Sequence, residues 1–281
     1  MAVRALCITD PACGWSWGLE PVVRALMVEF GDDLRWTFAM GGLARKYGPD
    51  AREQTVRQWL AASADSGMPT DPLAWYDSPP SSTYPACMAV KAAQEQGADA
   101  AYRYLRALRE GIVCRRRKLD ATEALVEEAR DVGLDVERFR VDLGSHATVE
   151  AFGTDLELAR EVPEAVRRAD TTRSSEPANA ERVPFPTLRF EGDAGDARWT
   201  SGLRPLDEVR DHALAAGATP STDPRPDVLV ALRRFGRMAP VEVAAVCDLP
   251  LPRAEANLAQ LALDWRIRPV PVLAARLWEL A

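Results

Sequence analysis

One cysteine stands where its thiol could be chemically reactive. Cys13 follows a short apolar run at 4–9 and the pair Asp10–Pro11, and it precedes the first turn of a predicted helix. A cysteine between a strand and a helix faces unpaired backbone N–H groups and the positive end of the helix dipole, which favour the thiolate. Because the thiolate is the nucleophile, this position predicts a reactive Cys13. The alternative is that Cys13 is a small buried apolar residue.

A proline at the start of a later predicted strand is the second feature. Pro186 stands between Phe185 and Thr187, and proline is unusual in a strand because it has no backbone N–H to donate. A cis peptide bond before Pro186 would account for it, since such bonds are kept for their geometry. The alternative is a simple edge-strand proline, which Pro184 also fits.

The elements that must position these residues follow a recognisable order. Hydrophobic periodicity predicts a strand at 4–9, a helix at 17–30 and a strand at 34–38. Residues 44–141 contain no predicted strand and form a large helical insertion. The remaining predictions are helices at 52–62, 86–96, 99–117, 120–132 and 145–162, strands at 183–190 and 197–201, and a helix at 206–216. This is the order of a thioredoxin-like α/β domain, which we place at 1–218.

The last 55 residues are predicted to form a separate small unit at 227–281, after a proline-rich linker at 219–226. Three helices and a two-stranded hairpin make its expected shape winged-helix-like. Its third helix carries Arg253 together with Glu255 and Asp264, so it lacks the basic surface of a DNA recognition helix. We therefore expect this unit to dock a protein or pack on the rest of the chain.

Around Cys13 the sequence resembles the DsbA-type thioredoxin-fold oxidoreductases, in particular the FrnE-like branch that is also similar to YjbH-type adaptors. The family motif is Asp-Pro-x-Cys-x-Trp-Cys-aromatic-Gly, and residues 10–18 read Asp-Pro-Ala-Cys-Gly-Trp-Ser-Trp-Gly. Residues 75–93 and the stretch Phe185-Pro-Thr187 match in the same order, so the resemblance covers about 1–217. It implies a thioredoxin-like fold with Pro186 as the cis-proline.

The sequence departs from the family at Ser16, which replaces the second cysteine of the motif. In a dithiol site the second cysteine attacks the mixed disulfide formed by the first, and a serine hydroxyl cannot do this. Ser16 is either the natural residue or a substitution that traps a mixed disulfide. Cys87, at the start of a predicted helix, is the candidate resolving thiol, and a buried structural thiol is the alternative. If the scaffold is that of an oxidoreductase, Ser16→Cys is expected to restore dithiol cycling.

The resemblance implies catalytic positions at Cys13, Ser16 and Pro186. Because Cys13 lies at a strand-to-helix turn and the other four cysteines fall inside elements, we expect it to be the most acidic and most accessible of the five thiols. Trp15 and Trp17 flank the thiol and are expected to form an apolar substrate groove, unless Trp17 faces the core. The other residues that we assign to this groove are Gly14, Tyr84, Phe185 and Thr187.

Composition narrows the class of protein. The chain has 281 residues, a length typical of about two domains, and its net charge of −7 disfavours nucleic acid or anionic lipid as the main ligand. It contains no run of 18 apolar residues and no signal-peptide pattern. Five scattered cysteines predict a reducing cytoplasm.

No metal site is expected, because no two cysteines or histidines lie within five residues of each other. His146 and His212 are interpreted as surface or capping residues.

The expected function is that of a cytoplasmic thiol-disulfide oxidoreductase that works through Cys13 alone. No bound cofactor is expected, and glutathione or another low-molecular-weight thiol is the candidate co-substrate. The candidate partners are a protein or small-molecule thiol or disulfide, and a homodimer is one candidate assembly. A non-catalytic adaptor on the same scaffold, or a thiol-dependent transferase or isomerase, would fit the same residues.

Overall fold

A four-stranded mixed sheet organises the first part of the chain. The structure is a computed structural model that describes residues 2–168, 182–193 and 195–281. Its strands are β1 (Val3–Thr9), β2 (Leu34–Met40), β3 (Thr187–Glu191) and β4 (Ala197–Ser201), in the order β2-β1-β3-β4. β1 is parallel to β2 and antiparallel to β3, and β3 is antiparallel to β4. This is the α/β arrangement that the sequence predicted.

The helix predicted at 17–30 is two helices, α1 (Gly14–Gly18) and α2 (Glu20–Phe30). The break falls at Leu19, and Pro21 lies in the first turn of α2, where its missing N–H removes no intrahelical hydrogen bond. The long helix predicted from periodicity is therefore wrong at its start, where α1 is a separate five-residue helix with Cys13 as its N-cap.

The insertion between β2 and β3 is helical, as predicted. Three of its helices were not predicted, and they cover residues 74–77, 136–143 and 164–168. The predicted strand at 183–190 begins only at Thr187, because prolines at 184 and 186 cannot donate to a ladder. The helices are α3 (Ala51–Ser66), α4 (Ala74–Asp77), α5 (Tyr84–Gln94), α6 (Ala98–Cys114), α7 (Thr122–Asp131), α8 (Val136–Leu143), α9 (His146–Arg160) and α10 (Glu164–Arg168), with α11 (Leu206–Ala215) after β4.

Residues 227–281 contain three helices followed by a two-stranded antiparallel sheet, the element order of a winged-helix-like unit. Val228, Leu232, Val246 and Leu258 are buried together in a hydrophobic cluster of this part of the chain. Its elements are α12 (Val228–Phe235), α13 (Pro240–Cys247), α14 (Leu251–Leu263), β5 (Ile267–Val272) and β6 (Ala275–Leu280).

A buried network of charges joins this C-terminal part to the sheet-containing part. Arg106 of α6 donates two hydrogen bonds to the carboxylate of Glu242 in α13, at 2.7 and 3.0 Å, and Arg24 of α2 lies 3.1 Å from the same carboxylate. On the other side, Glu20 accepts hydrogen bonds from Arg109 and, at 2.9 Å, from the Tyr102 hydroxyl. The two parts are thus held by groups that would be costly to bury unpaired.

The pKa values of Glu20 and Tyr102 are shifted in opposite directions by this network. Burial alone would raise the pKa of Glu20, but the guanidinium groups of Arg109, Arg106 and Arg24 outweigh it and hold that pKa below its usual range. Burial, reinforced by the charge of Glu20, raises the pKa of Tyr102, which therefore stays a hydrogen-bond donor.

Among the residues that the structure describes, no helix combines the length and hydropathy needed to cross a bilayer.

Candidate functional site

Cys13 is the N-cap of α1, as its place in the sequence predicted. Its backbone is extended (φ −75°, ψ 115°), and its sulfur accepts a hydrogen bond from the Ser16 N–H, with Sγ and N 3.4 Å apart. The Cys13 thiol faces the Phe185 carbonyl oxygen at 3.7 Å. These contacts place the sulfur at the helix N-terminus, where a thiolate would be stabilised.

The same sulfur is sealed from solvent, which corrects the prediction that it is the most accessible thiol. Cys13 is 0% exposed, whereas Cys247 is 7% exposed. All five cysteines are buried free thiols. Burial raises the pKa of Cys7 to about 12 and of Cys247 to about 11, and it also raises the pKa of Cys114.

The carboxylate of Asp10 holds the turn that precedes Cys13. It accepts hydrogen bonds from the backbone N–H groups of Ala12 and Leu43, at 2.8 and 2.6 Å, and from the Thr83 hydroxyl at 2.7 Å. Sequence reasoning gave Asp10 no role, although the conspicuous Asp-Pro pair of the motif was a signal. The residue ties the Cys13 turn to β2 and to the start of α5.

Cys87, the candidate resolving thiol, donates to the Asp10 carboxylate, with Sγ and Oδ2 3.3 Å apart. Burial, followed by the negative charge of Asp10, raises the pKa of Cys87 well above its ordinary value. A thiol in this setting is kept protonated, which disfavours attack on a disulfide. The geometry supports the alternative of a buried structural thiol.

The two tryptophans beside Cys13 do not form an open groove. Trp17 is fully buried, donates to the Pro69 carbonyl at 2.7 Å and carries the Arg106 guanidinium 4.2 Å above its ring. It therefore faces the core, which was the alternative expectation. Trp15 is 3% exposed and its indole N–H donates to Gln58, with Nε1 and Oε1 2.5 Å apart. The expected apolar groove is wrong at both positions, because each indole N–H finds its partner inside the protein.

Gly14 packs against α3 and does not contact solvent. A Cβ at this position would lie 2.6 Å from Cδ1 of Trp59, whose indole N–H donates to the Ala12 carbonyl at 3.1 Å. The glycine lets α1 approach α3 closely, and its assignment to a substrate groove is corrected accordingly.

The Phe185–Pro186 peptide bond is cis, the isomer expected from the sequence. Phe185 and Thr187 are both fully buried. The Thr187 hydroxyl is 2.6 Å from the Pro184 carbonyl and 2.8 Å from the Ser201 hydroxyl. These two residues were expected to contact substrate, but their side chains are occupied within the protein.

Tyr84 is half-buried and lines a small cavity of 160 Å³ together with Gly42, Leu156, Arg160 and Arg182. Its ring packs edge-on against Phe152 at 5.0 Å. In the described part of the chain, neither Cys13 nor Pro186 lines this cavity. The structure therefore does not bring Tyr84 into one open site with the thiol.

A much larger cleft of 1320 Å³ lies elsewhere, between β2, α6 and the C-terminal part. Aromatic side chains (Trp36, Tyr102, Phe235) and several arginines line it. Sequence reasoning missed this cleft because its walls come from segments as far apart in the chain as Arg24 and Leu280. No group of three or more potential metal ligands is present among the described residues.

The comparison with protein families now identifies the class. A thioredoxin family model matches residues 7–166, which is more than half of the chain. The chain belongs to the thioredoxin family.

Adapter proteins named SpxH are similar to this chain over most of its length. The ClpXP adapter protein SpxH of Halalkalibacterium halodurans is 29% identical over 284 residues, covering 96% of this chain and 86% of that protein. SpxH of Bacillus subtilis is 27% identical with the same two coverages.

Solved structures share the fold at 20% identity. A protein from Nitrosomonas europaea has a TM-score of 0.62 and covers 76% of this chain and 97% of its own. The cytosolic disulfide reductase DsbM from Pseudomonas aeruginosa has a TM-score of 0.57 and covers 75% and 96%. These structures confirm a DsbA-like thioredoxin fold.

Proposed function

We propose that this chain is a cytoplasmic adaptor that binds a protein substrate and delivers it to ClpXP, as a member of the YjbH-like branch. The observation that carries the proposal is the sealed thiol: Cys13 is fully buried and has Ser16 in place of a resolving cysteine. A nucleophile that no substrate can reach performs no turnover, whereas a rigid scaffold suits binding.

The similarity to SpxH supports the same proposal, because it covers 96% of this chain and therefore extends beyond the thioredoxin-like part. An adaptor must contact both a substrate and the protease. The C-terminal part, fixed to α2 and α6 through Glu242, gives this scaffold a second surface at a defined orientation. On this proposal residues 227–281 are a protein-docking unit.

The experiment is a reconstituted degradation assay. A lysate of the source organism, depleted of this protein, is incubated with ATP and with purified ClpX and ClpP of the same organism. The reaction is run with and without the purified chain. Quantitative mass spectrometry then follows each protein. We expect a small set of proteins to disappear only when the chain, ClpXP and ATP are all present, and Cys13→Ala to behave like the wild type. If no protein shows this dependence, the adaptor proposal is wrong.

A second candidate function is favoured by one observation, the Cys13 sulfur at hydrogen-bond distance from the Ser16 N–H. If this turn opens, a Cys13 thiolate could attack a disulfide, form a mixed disulfide with one sulfur and release the other as a thiol. A second thiol such as glutathione would then attack the mixed disulfide and regenerate the Cys13 thiol.

Ser16→Cys separates the two functions. The Ser16 hydroxyl is buried with no hydrogen-bond partner among the described residues, so a thiol can replace it without loss of a bond. The adaptor proposal expects no reduction of insulin by either protein, with the free-thiol count of the variant checked by mass spectrometry. Catalytic turnover gained by Ser16→Cys would show that the site opens, in favour of the oxidoreductase.

A further inference from the structure

The outer edge of β2 is unpaired over part of its length. Gly41, directly after β2, donates its N–H to Thr9 of β1, while the Met40 N–H donates to Asp155 of α9. Successive residues of a strand direct their backbone polar groups to opposite sides. The N–H and C=O groups of Trp36 and Phe38 therefore point away from β1, on the same side as those of Met40.

No residue in the described part of the chain accepts from the Trp36 or Phe38 N–H. The edge is closed at one end by Asp155, which is itself 3.0 Å from the Lys91 ammonium group. At its other end the Leu34 N–H is bonded to Gly31. Two consecutive outward positions of an edge strand are left free between these closed ends, and such positions can pair with another strand.

This free edge opens into the large cleft. Arg35 and Trp36 both line the cleft, although neighbouring side chains of a strand project to opposite faces of the sheet. Leu34 and Phe38, which share the face of Trp36, line it as well, so the cleft extends from that face around the edge of β2. The Trp36 indole N–H is also buried and lacks a hydrogen-bond partner among the described residues. A buried donor without an acceptor is costly, and a ligand in the cleft would supply one.

The charges of the cleft favour a negatively charged occupant. Arg103 is paired with Asp99, and Arg237 with Glu110 and Glu279. Across the described residues, three further arginines of the cleft make no ion pair, whereas the one lining carboxylate that makes none is that of Asp32. The three arginines are Arg35, Arg233 and Arg234.

We propose that the β2 edge accepts an extended, acidic segment of a partner protein as an added strand, with its acidic side chains against Arg35, Arg233 and Arg234. This rests on the proposed adaptor function and names the chemistry of the substrate that the adaptor captures. Backbone hydrogen bonds to Trp36 and Phe38 supply affinity, and the aromatic and arginine side chains of the cleft supply selection.

The backbone part is tested with a matched pair of variants at one position. Trp36→Pro removes the outward N–H, which makes no bond to β1, while Trp36→Val removes the indole but keeps the N–H. The probe is a fluorescent peptide of five Glu-Val repeats, measured by anisotropy, with a Lys-Val peptide for comparison. We expect saturable binding of the Glu-Val peptide only, at least tenfold weaker for Trp36→Pro than for Trp36→Val.

Hydrogen exchange provides a readout that does not depend on a variant. The Glu-Val peptide is expected to slow exchange at the Trp36 and Phe38 amides of the wild-type chain, with no change at Gly41, which is already bonded to Thr9. Unchanged exchange at both amides while the peptide is bound would overturn the proposal, even if a variant had failed to fold.

The charge part has its own matched pair. Arg35→Glu combined with Arg233→Glu changes two cleft arginines, and Arg253→Glu combined with Arg266→Glu makes the same charge change at exposed positions outside the cleft. We expect the first double variant to bind the Glu-Val peptide at least tenfold more weakly and the second to bind it like the wild type, apart from a small general charge effect. Equal weakening by both would overturn the proposal.

Two results separate this proposal from its alternatives. If the chain is a dimer that Trp36→Pro dissociates, the edge pairs with a second copy and the proposal of an acidic partner segment is wrong. If ClpXP-dependent degradation is present but unchanged in the cleft variants, the cleft proposal fails and the adaptor function stands. Specific peptide binding without any ClpXP-dependent degradation would mean that the cleft proposal stands and the adaptor function is wrong.

Discussion

The Cys13 turn and the β2 cleft differ in where their buried polar groups find partners, although the Ser16 hydroxyl at the turn has none among the described residues. At the turn, the donors around Asp10 and the two indole N–H groups of Trp15 and Trp17 all find partners inside the protein. At the cleft, an indole N–H and two strand positions are left without partners in the described structure. The turn carries the family motif, yet the capacity for new interactions lies at the cleft.

On the adaptor proposal, this difference describes a thioredoxin scaffold that is used for binding. Ser16 stands where a dithiol site would have its second cysteine, and Cys13 is fully buried. The C-terminal part then forms one wall of a cleft that the thioredoxin-like part alone would leave open.

The largest expected effect on stability comes from breaking the buried charge network around Glu20. Glu20→Ala leaves Arg24, Arg106 and Arg109 buried without this carboxylate, which we expect to lower the free energy of unfolding by about 3–5 kcal/mol. Urea denaturation measures it. Glu53→Ala, which breaks an exposed pair with Arg57, is the control and is expected to change nothing measurable. Equal effects would show that the buried network does not hold the fold.

A smaller effect is expected from acid. The folded-state pKa of Glu20 is lowered, so its contribution to stability is fully present above the unfolded pKa of about 4.3 and is lost as pH falls through the folded value. The free energy of unfolding, measured from pH 7 down to pH 3, should therefore decrease once the pH is below about 4.3. Glu20→Gln should flatten this part of the curve, and an unchanged slope would contradict the assignment.

The packing around the cis-proline segment predicts a still smaller change. A Cβ at Gly41 would lie 2.0 Å from Cζ of Phe185, so we expect Gly41→Ala to destabilise the protein by about 1–3 kcal/mol through overpacking. Gly153→Ala is the matched control, because this glycine lies within α9 with no atom near the new methyl group. That variant should gain about 0.4–1 kcal/mol. Thermal and urea unfolding would show whether the signs differ.

The smallest expected effect is at the thiols. Iodoacetamide at pH 8 should leave all five cysteines of the native chain almost unmodified, since burial limits access and raises the pKa of Cys7, Cys87, Cys114 and Cys247. Peptide mapping by mass spectrometry after timed quenching measures each rate, with the urea-unfolded chain as the control. Rapid labelling of Cys13 alone would indicate that the turn opens, and it would reverse the comparison of the two regions.

Local patterns in the sequence determined much of the fold. Alternating and periodic apolar residues located β1, β2 and most helices, for example α6 (Ala98–Cys114), which was predicted at 99–117. The strand-to-helix position of Cys13 and the X-Pro-Thr stretch were visible because each depends on neighbouring residues only. Three short helices were missed, since a helix of four to eight residues carries few apolar positions in which a period could show.

The accessibility of the site was decided only by the tertiary structure. The Trp15 indole is held inside the protein by a hydrogen bond to Gln58, and the Trp17 indole faces the core against Pro69 and Arg106. The cleft likewise exists only because α6, β2 and α12 meet in space. Burial and pairing are properties of contacts between distant segments, and these contacts leave no periodic trace in the chain. The sequence therefore determined where a thiol could be activated, while the packing decided that this thiol is sealed and that unpaired backbone donors lie at the β2 edge.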